Sequence, residues 1–186
     1  MQNPTDPSNL IKKEIDEYTL EKLVGETGKS WAFCARHKIL GAVHLLKILK
    51  PNQGEIREKQ FLEEGKRLVN LKRRENLPIV HYAGESGGLR YIAMDYLKGP
   101  EGNLQEVKNS INKGLRRKLS LEEILKIMSD SANGVANLHE AGIASHGDIK
   151  LENLLRDESG ITYICDLGGM ASGKVPYPGD IKALGR

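Results

Sequence analysis

Apolar and polar residues alternate along Tyr18-Thr-Leu-Glu-Lys-Leu-Val24 and, after a turn holding Gly, Thr and Ser, along Trp31-Ala-Phe-Cys-Ala-Arg36. A two-residue period puts every second side chain on one face, so both segments predict half-buried strands. Past Gly41, Ala42–Leu49 is an apolar run interrupted by Lys47 and predicts a third strand. The period then changes. Across residues 55–74, Phe61, Leu62, Leu68 and Leu71 fall on one side of a helix. Leu77–Ala83 and Leu89–Tyr96 return to strand texture on either side of the turn-forming Glu85-Ser-Gly-Gly88.

Beyond Leu97 the pattern is helical. Asn103–Asn112 is a short amphipathic segment, and Ser120-Leu-Glu-Glu123 is a capping box that opens a long helix through His139, closed by Gly142. Ile124, Leu125, Ile127, Met128, Ala132, Val135 and Leu138 form a wide apolar stripe that predicts a core face. Leu154-Leu155 and Ile161–Cys165 predict a short hairpin around Asp157-Glu-Ser-Gly160. The chain thus divides into a flexible lead-in (1–17), a five-stranded part with one helix (18–97) and a mainly helical part (98–186). The class is α+β.

Composition narrows the setting. With 39% hydrophobic and 28% charged residues, the 186-residue chain is ordinary for a soluble globular protein. The net charge of +3 is mild. The basic clusters Lys72-Arg73-Arg74 and Arg116-Arg117-Lys118 have no aromatic partners and read as solvated faces, so no nucleic-acid partner is expected. No apolar run approaches the roughly 18 residues a membrane helix needs, and Met1–Glu17 lacks the apolar centre of a signal peptide. Cys34 and Cys165 both fall in predicted strands, which argues against a disulfide scaffold. A cytoplasmic location is the expectation.

The chemistry concentrates in Ser145-His146-Gly147-Asp148-Ile149-Lys150-Leu151-Glu152-Asn153 and Asp166-Leu167-Gly168. One short loop carries an aspartate, a lysine and an asparagine, and a second aspartate follows an apolar strand 13 residues past the asparagine. An aspartate can take a proton from a hydroxyl, and amide and carboxylate oxygens suit a hard divalent cation. Order and spacing resemble the catalytic loop and metal-binding segment of the eukaryotic-type Ser/Thr protein kinases. That resemblance implies a bilobal fold, with a five-stranded antiparallel small lobe carrying one helix and an incomplete helical large lobe. It also implies ATP and Mg²⁺ as cofactors and a protein hydroxyl as substrate.

The resemblance implies roles as well. Asp148 would be the catalytic base and Lys150 would neutralise the transferred phosphoryl, while Asn153 and Asp166 would hold Mg²⁺. Lys47 would contact the ATP phosphates and pair with Glu64, whose neighbour Glu63 is the alternative. Gly25, Thr27, Gly28, Ser30 and Ala32 would line the phosphate loop. Asp95 and Leu97 would belong to the adenine-binding hinge, and Leu155 to the floor of that pocket. Asp180 resembles the residue that anchors the catalytic loop.

Several positions depart from the family pattern. The phosphate loop, Gly25-Glu-Thr27-Gly28-Lys-Ser30, keeps the first of the three pattern glycines and has Thr27 and Ser30 at the other two, where glycine normally lets backbone N–H groups approach phosphate without a Cβ between. Leu45 stands in place of a small alanine. Gly147 replaces the arginine that pairs with a phosphorylated activation loop, so activity independent of loop phosphorylation is expected. Only 13 residues lie between Asp166 and Asp180, which predicts a shortened or truncated catalytic domain. Two alternatives stay open at this point: a pseudokinase serving as a nucleotide-binding interaction module, and a small-molecule kinase of the aminoglycoside or choline type.

Overall fold

The computed structural model describes residues 6–71, 74–97, 103–114, 117–167, 171–172 and 178–184. They form two compact units, one of Met1–Lys72 with Ile79–Tyr96, the other of Arg73–Pro78 with Leu97–Arg186.

The first unit is a sheet with one helix. Its strands are β1 (Glu14–Ile15), β2 (Tyr18–Glu26), β3 (Ser30–His37), β4 (Val43–Leu49), β5 (Val80–Ser86) and β6 (Leu89–Asp95), with α1 (Glu55–Asn70) between β4 and β5. All neighbours are antiparallel, in the order β1-β2-β3-β4-β6-β5. The alternating positions of β2 and β3 meet inside: Leu20, Phe33, Ala35, Leu46 and Ile48 are fully buried together with Trp31, Tyr91 and Ala93. α1 turns Phe61, Gly65 and Leu68 inward. Gly65 is required there, since a Cβ would lie 2.5 Å from Ala83 Cβ.

The sheet has six strands where the alternation predicts five. The sixth lies in the segment expected to be a flexible lead-in. Ile15 is buried in the main cluster with Leu10 packed against that cluster, and Asp16, at φ 47°, lets β1 fold straight back onto β2. Upstream, a 3-10 turn over Pro7–Leu10 is capped by Asp6, whose side chain accepts from Ser8 N at 2.9 Å. One isoleucine in a polar stretch is too small a signal for periodicity, but its burial is enough to recruit the strand.

The second unit holds α2 (Leu104–Asn112), α3 (Leu121–Glu140), β7 (Ile143–Ser145), β8 (Leu154–Arg156), β9 (Thr162–Ile164), β10 (Ala171–Ser172) and α4 (Pro178–Leu184). β8 and β9 form the predicted hairpin, and β7 pairs with β10. Capping boxes on Asn103 and Ser120 open α2 and α3. Glu123 of the second box also binds Arg117 at 2.8 Å and Arg156 at 3.3 Å, which fastens α3 to β8. The hydrogen bonds from Arg117 hold this carboxyl at a pKa of about 2.

The inward face of α3 differs from the predicted stripe. Ile127, Val135 and Leu138 are buried, but Ile124, Leu125 and Met128 are 42%, 56% and 53% exposed. Two non-apolar residues decide the rotation. Asp130 accepts from Thr162 N at 2.9 Å, and Gly134 lets β9 approach so closely that a Cβ would sit 2.8 Å from Ile164 Cδ1. Asn76 closes the same region, donating to Thr162 O at 2.9 Å and accepting from Ile164 N at 2.9 Å. Among the described residues no helix is long and apolar enough to cross a membrane.

Candidate active site

The first unit gathers the residues around the β2–β3 turn and β4. Ala32 lies opposite Lys47 across the β3–β4 ladder and opposite Gly25 across β2–β3. Lys47 reaches α1, where its Nζ is 3.8 Å from Glu64 Oε1, with both side chains largely buried. Glu63 turns instead to Lys66 at 3.0 Å on the outside of the helix. The register on α1 therefore gives Lys47 to Glu64.

At the turn itself, Thr27 and Ser30 are joined by hydroxyl and backbone contacts, and Ser30 is buried. Gly28 is exposed, and an added Cβ would meet nothing within 4 Å. Asp95, at the end of β6, sends its carboxylate elsewhere: Oδ2 accepts from Ile79 N at 3.0 Å and Oδ1 faces His81 Nε2 at 2.8 Å. That side chain secures the start of β5.

The second unit builds a polar loop between β7 and β8. Asp148 Oδ2 is 2.7 Å from Lys150 Nζ and accepts from Asn153 Nδ2 at 3.1 Å. Asn153 Nδ2 also donates to Asp148 O at 2.8 Å, so one buried amide holds both the backbone and the side chain of the aspartate. The hydrogen bond from Lys150 to Asp148 raises the lysine's pKa, so the ammonium keeps its charge.

Two buried groups fix the backbone under this loop. Asp180, only 2% exposed, accepts from His146 N at 2.7 Å, Gly147 N at 3.1 Å and Ser145 Oγ at 3.2 Å. His146, fully buried, accepts from Asp148 N at Nδ1 (3.3 Å), which leaves Nε2 to donate to Cys165 O at 3.0 Å. Burial lowers its pKa and keeps the imidazole neutral, as this donor–acceptor pattern requires. Cys165 N in turn donates to Asn153 O at 2.8 Å. The segment that delivers Asp166 is thereby tied to the loop that carries Asp148 and Asn153.

Asp166 is exposed and sits at φ 56°, a left-handed conformation that a non-glycine residue holds only when its surroundings impose it. Its neighbour Cys165 offers no nucleophile: desolvation pushes the thiol up to about 12. Leu155, on β8, faces Tyr163 in the hairpin register and bridges to Asn103. Leu97 belongs to this unit and is half-buried.

The pattern reading undervalued two residues. His146 is a hydrogen-bonding staple; its position one residue before a glycine and two before an aspartate was the available signal. Thr27, which the resemblance places in the phosphate loop, ties up its own turn. Threonine three residues before serine at a hairpin tip is a recognisable signature of such a turn.

Comparison with known proteins converges on one family. The model of the protein kinase domain matches residues 18–176. The chain is 28% identical over 168 residues to the probable serine/threonine-protein kinase pknA2 of Bifidobacterium longum, covering 88% of this chain and 21% of that protein. It is 26% identical over 176 residues to the serine/threonine-protein kinase pkn3 of Myxococcus xanthus, covering 90% of this chain and 30% of that one. The chain thus spans less than a third of either relative. In fold it is similar to the PknI kinase domain of Mycobacterium tuberculosis, with a TM-score of 0.66 at 22% identity, covering 85% of this chain and 62% of that one.

Proposed function

The chain belongs to the protein kinase domain family, and we propose that it transfers the γ-phosphoryl group of ATP to serine or threonine hydroxyls of a protein substrate. The observation that carries this reading is the loop in which Lys150 and Asn153 both hold Oδ2 of Asp148 while Asp180 fixes the backbone beneath it. Asp148 Oδ1 is then the oxygen left for the substrate hydroxyl. It orients that hydroxyl and takes its proton as the oxygen attacks phosphorus. The Lys150 ammonium, held beside the same carboxylate, offsets charge on the phosphoryl oxygens.

The residues present fit the two cofactors. Asn153 spends its Nδ2 on Asp148, which orients the amide with Oδ1 as its remaining donor, and Asp166 adds an exposed carboxylate. Oxygen donors of this kind, completed by phosphate and water, are what Mg²⁺ takes; bound there, it would screen phosphate charge. Lys47, fixed by Glu64, is the cation for the ATP phosphates, and the turn at Gly25–Ser30 supplies backbone N–H donors. Asp95, Leu97 and Leu155 are the adenine contacts of this reading. A cytoplasmic setting, where ATP is abundant, belongs to it as well.

The test is phosphotransfer by the full chain with Mg-ATP and a generic protein substrate, followed by phospho-amino-acid analysis. Phosphoserine or phosphothreonine is expected, with Asp148→Asn slower by about 10²–10⁴-fold. Equal transfer by wild type and Asp148→Asn would remove the catalytic assignment. Mg-ATP binding without transfer by either protein would leave a nucleotide-binding interaction module.

A further inference from the structure

The turn between β2 and β3 is closed by a side chain rather than left open. Thr27 Oγ1 accepts from Lys29 N at 3.2 Å and from Ser30 N at 3.0 Å, and lies 3.1 Å from Ser30 Oγ. Thr27 N donates to Ser30 O at 2.8 Å. Two successive backbone N–H groups therefore converge on one oxygen, which is the arrangement that makes a concave anion site. The flanks hold the turn in this form. Lys50 N donates to Lys29 O at 2.9 Å, and Lys50 Nζ and Trp31 Nε1 both bind Glu26 Oε1, at 2.6 and 3.3 Å. The tip itself stays accessible, with Thr27 and Gly28 exposed.

We propose that Thr27 Oγ1 is an internal stand-in for a nucleotide phosphate oxygen, occupying the Lys29 and Ser30 N–H donors until ATP displaces it. This rests on the nucleotide-binding reading given above and refines it: Thr27 is a positioning residue that weakens phosphate binding while keeping the donors aimed at one point. A nucleotide must exchange two existing hydrogen bonds for two new ones, so the turn contributes less to affinity than one whose donors face only water. Nucleosides that lack phosphate do not meet this competition.

The experiment compares the full chain with Thr27→Ala and Thr27→Ser, measuring dissociation constants for Mg-ATP and adenosine by calorimetry, and amide hydrogen exchange at Lys29 and Ser30. Thr27→Ala is expected to bind Mg-ATP about fivefold more tightly, the worth of roughly one net hydrogen bond. Its adenosine affinity is expected to stay level. The Lys29 and Ser30 amides should exchange faster in the free Ala variant and regain protection with Mg-ATP. Thr27→Ser, which keeps the oxygen, should restore wild-type affinity and exchange. Unchanged or weaker Mg-ATP binding by Thr27→Ala overturns the proposal, as does a gain shared equally by adenosine. Failure of all three proteins to bind Mg-ATP overturns the nucleotide reading itself, and this proposal with it.

Discussion

The two units keep their interiors in different ways. The first is a hydrocarbon core: ten buried residues from Ile15 to Ala93 form one cluster with almost no polar group inside it. The second is wired. Of the nine buried polar or charged residues among those described, only Ser30 lies in the first unit; Asn76, Asp130, Ser131, Ser145, His146, Asn153, Thr162 and Asp180 lie in the second. Hydrophobic burial is strong but non-directional, so it fixes a sheet without fixing a side-chain oxygen to a few tenths of an ångström. Hydrogen bonds are directional and expensive to leave unmade, so a polar interior can hold a catalytic loop in one shape. The unit with the proposed proton acceptor is the wired one.

The comparison breaks most visibly at Asp180. Asp180→Ala leaves the N–H groups of His146 and Gly147 and the Ser145 hydroxyl without their acceptor in a buried site. The expected loss is about 3–5 kcal/mol, on the scale of a broken buried charge network. The counterpart in the first unit is Glu64→Ala, which removes a long 3.8 Å pair with some water access. That change leaves Lys47 partly buried without this carboxylate and is expected to cost about 1–2 kcal/mol of stability, while lowering the proposed phosphotransfer as strongly as Asp180→Ala does. Urea unfolding of both variants decides the matter, and similar losses would mean that the wiring contributes no more than the Lys47–Glu64 pair.

Each unit also has a glycine pressed between a helix and a strand, and these sharpen the contrast. An alanine Cβ at Gly65 would lie 2.5 Å from Ala83 Cβ, an atom that moves only with its backbone. At Gly134 it would meet Ile164 Cδ1 at 2.8 Å and Asn76 O at 3.0 Å. The isoleucine end can swing but the carbonyl cannot. Gly65→Ala is expected to cost about 2–3 kcal/mol and Gly134→Ala about 1–2 kcal/mol, both net of the helix-propensity gain. A thermal melt of each checks the order. If Gly134→Ala proved the more damaging, the Asn76 carbonyl would be the more rigid wall, and the wired unit the less tolerant of the two.

The same division explains what could be read from the chain. Alternation located β2 and β3 because their period reports a simple inside and outside, and apolar runs bounded by turn residues located β4, β5 and β6. It missed β1, where a single buried isoleucine carries the burial. In the second unit the periodic signal was weaker than the spacing of polar residues. Asp148, Lys150, Asn153 and Asp166 stood out by their intervals, and three of them come together in one loop with Asp166 tied to it through Cys165. The contacts of Thr27 were not foreseen, because a motif reading asks which glycine is absent rather than what the replacement hydroxyl can reach.

Helix α3 shows where periodicity misleads. A helix with apolar residues on more than one face has no unique inward side by hydrophobicity alone. Asp130 and Gly134 choose it here, one by accepting from β9 and one by admitting it. Leu125 and Met128, counted with the core by pattern, are left more than half exposed. Leu125→Ala and Met128→Ala are therefore expected to cost under about 0.5 kcal/mol each, the range of surface changes, instead of the roughly 2–5 kcal/mol typical of core truncation. Alanine is also at least as good a helix former as either residue, which trims the loss further. Denaturant titration of the two variants is the check. A loss above about 2 kcal/mol in either would mean that this face is covered in the folded protein in solution, and that Asp130 and Gly134 do not by themselves set which side of α3 is buried.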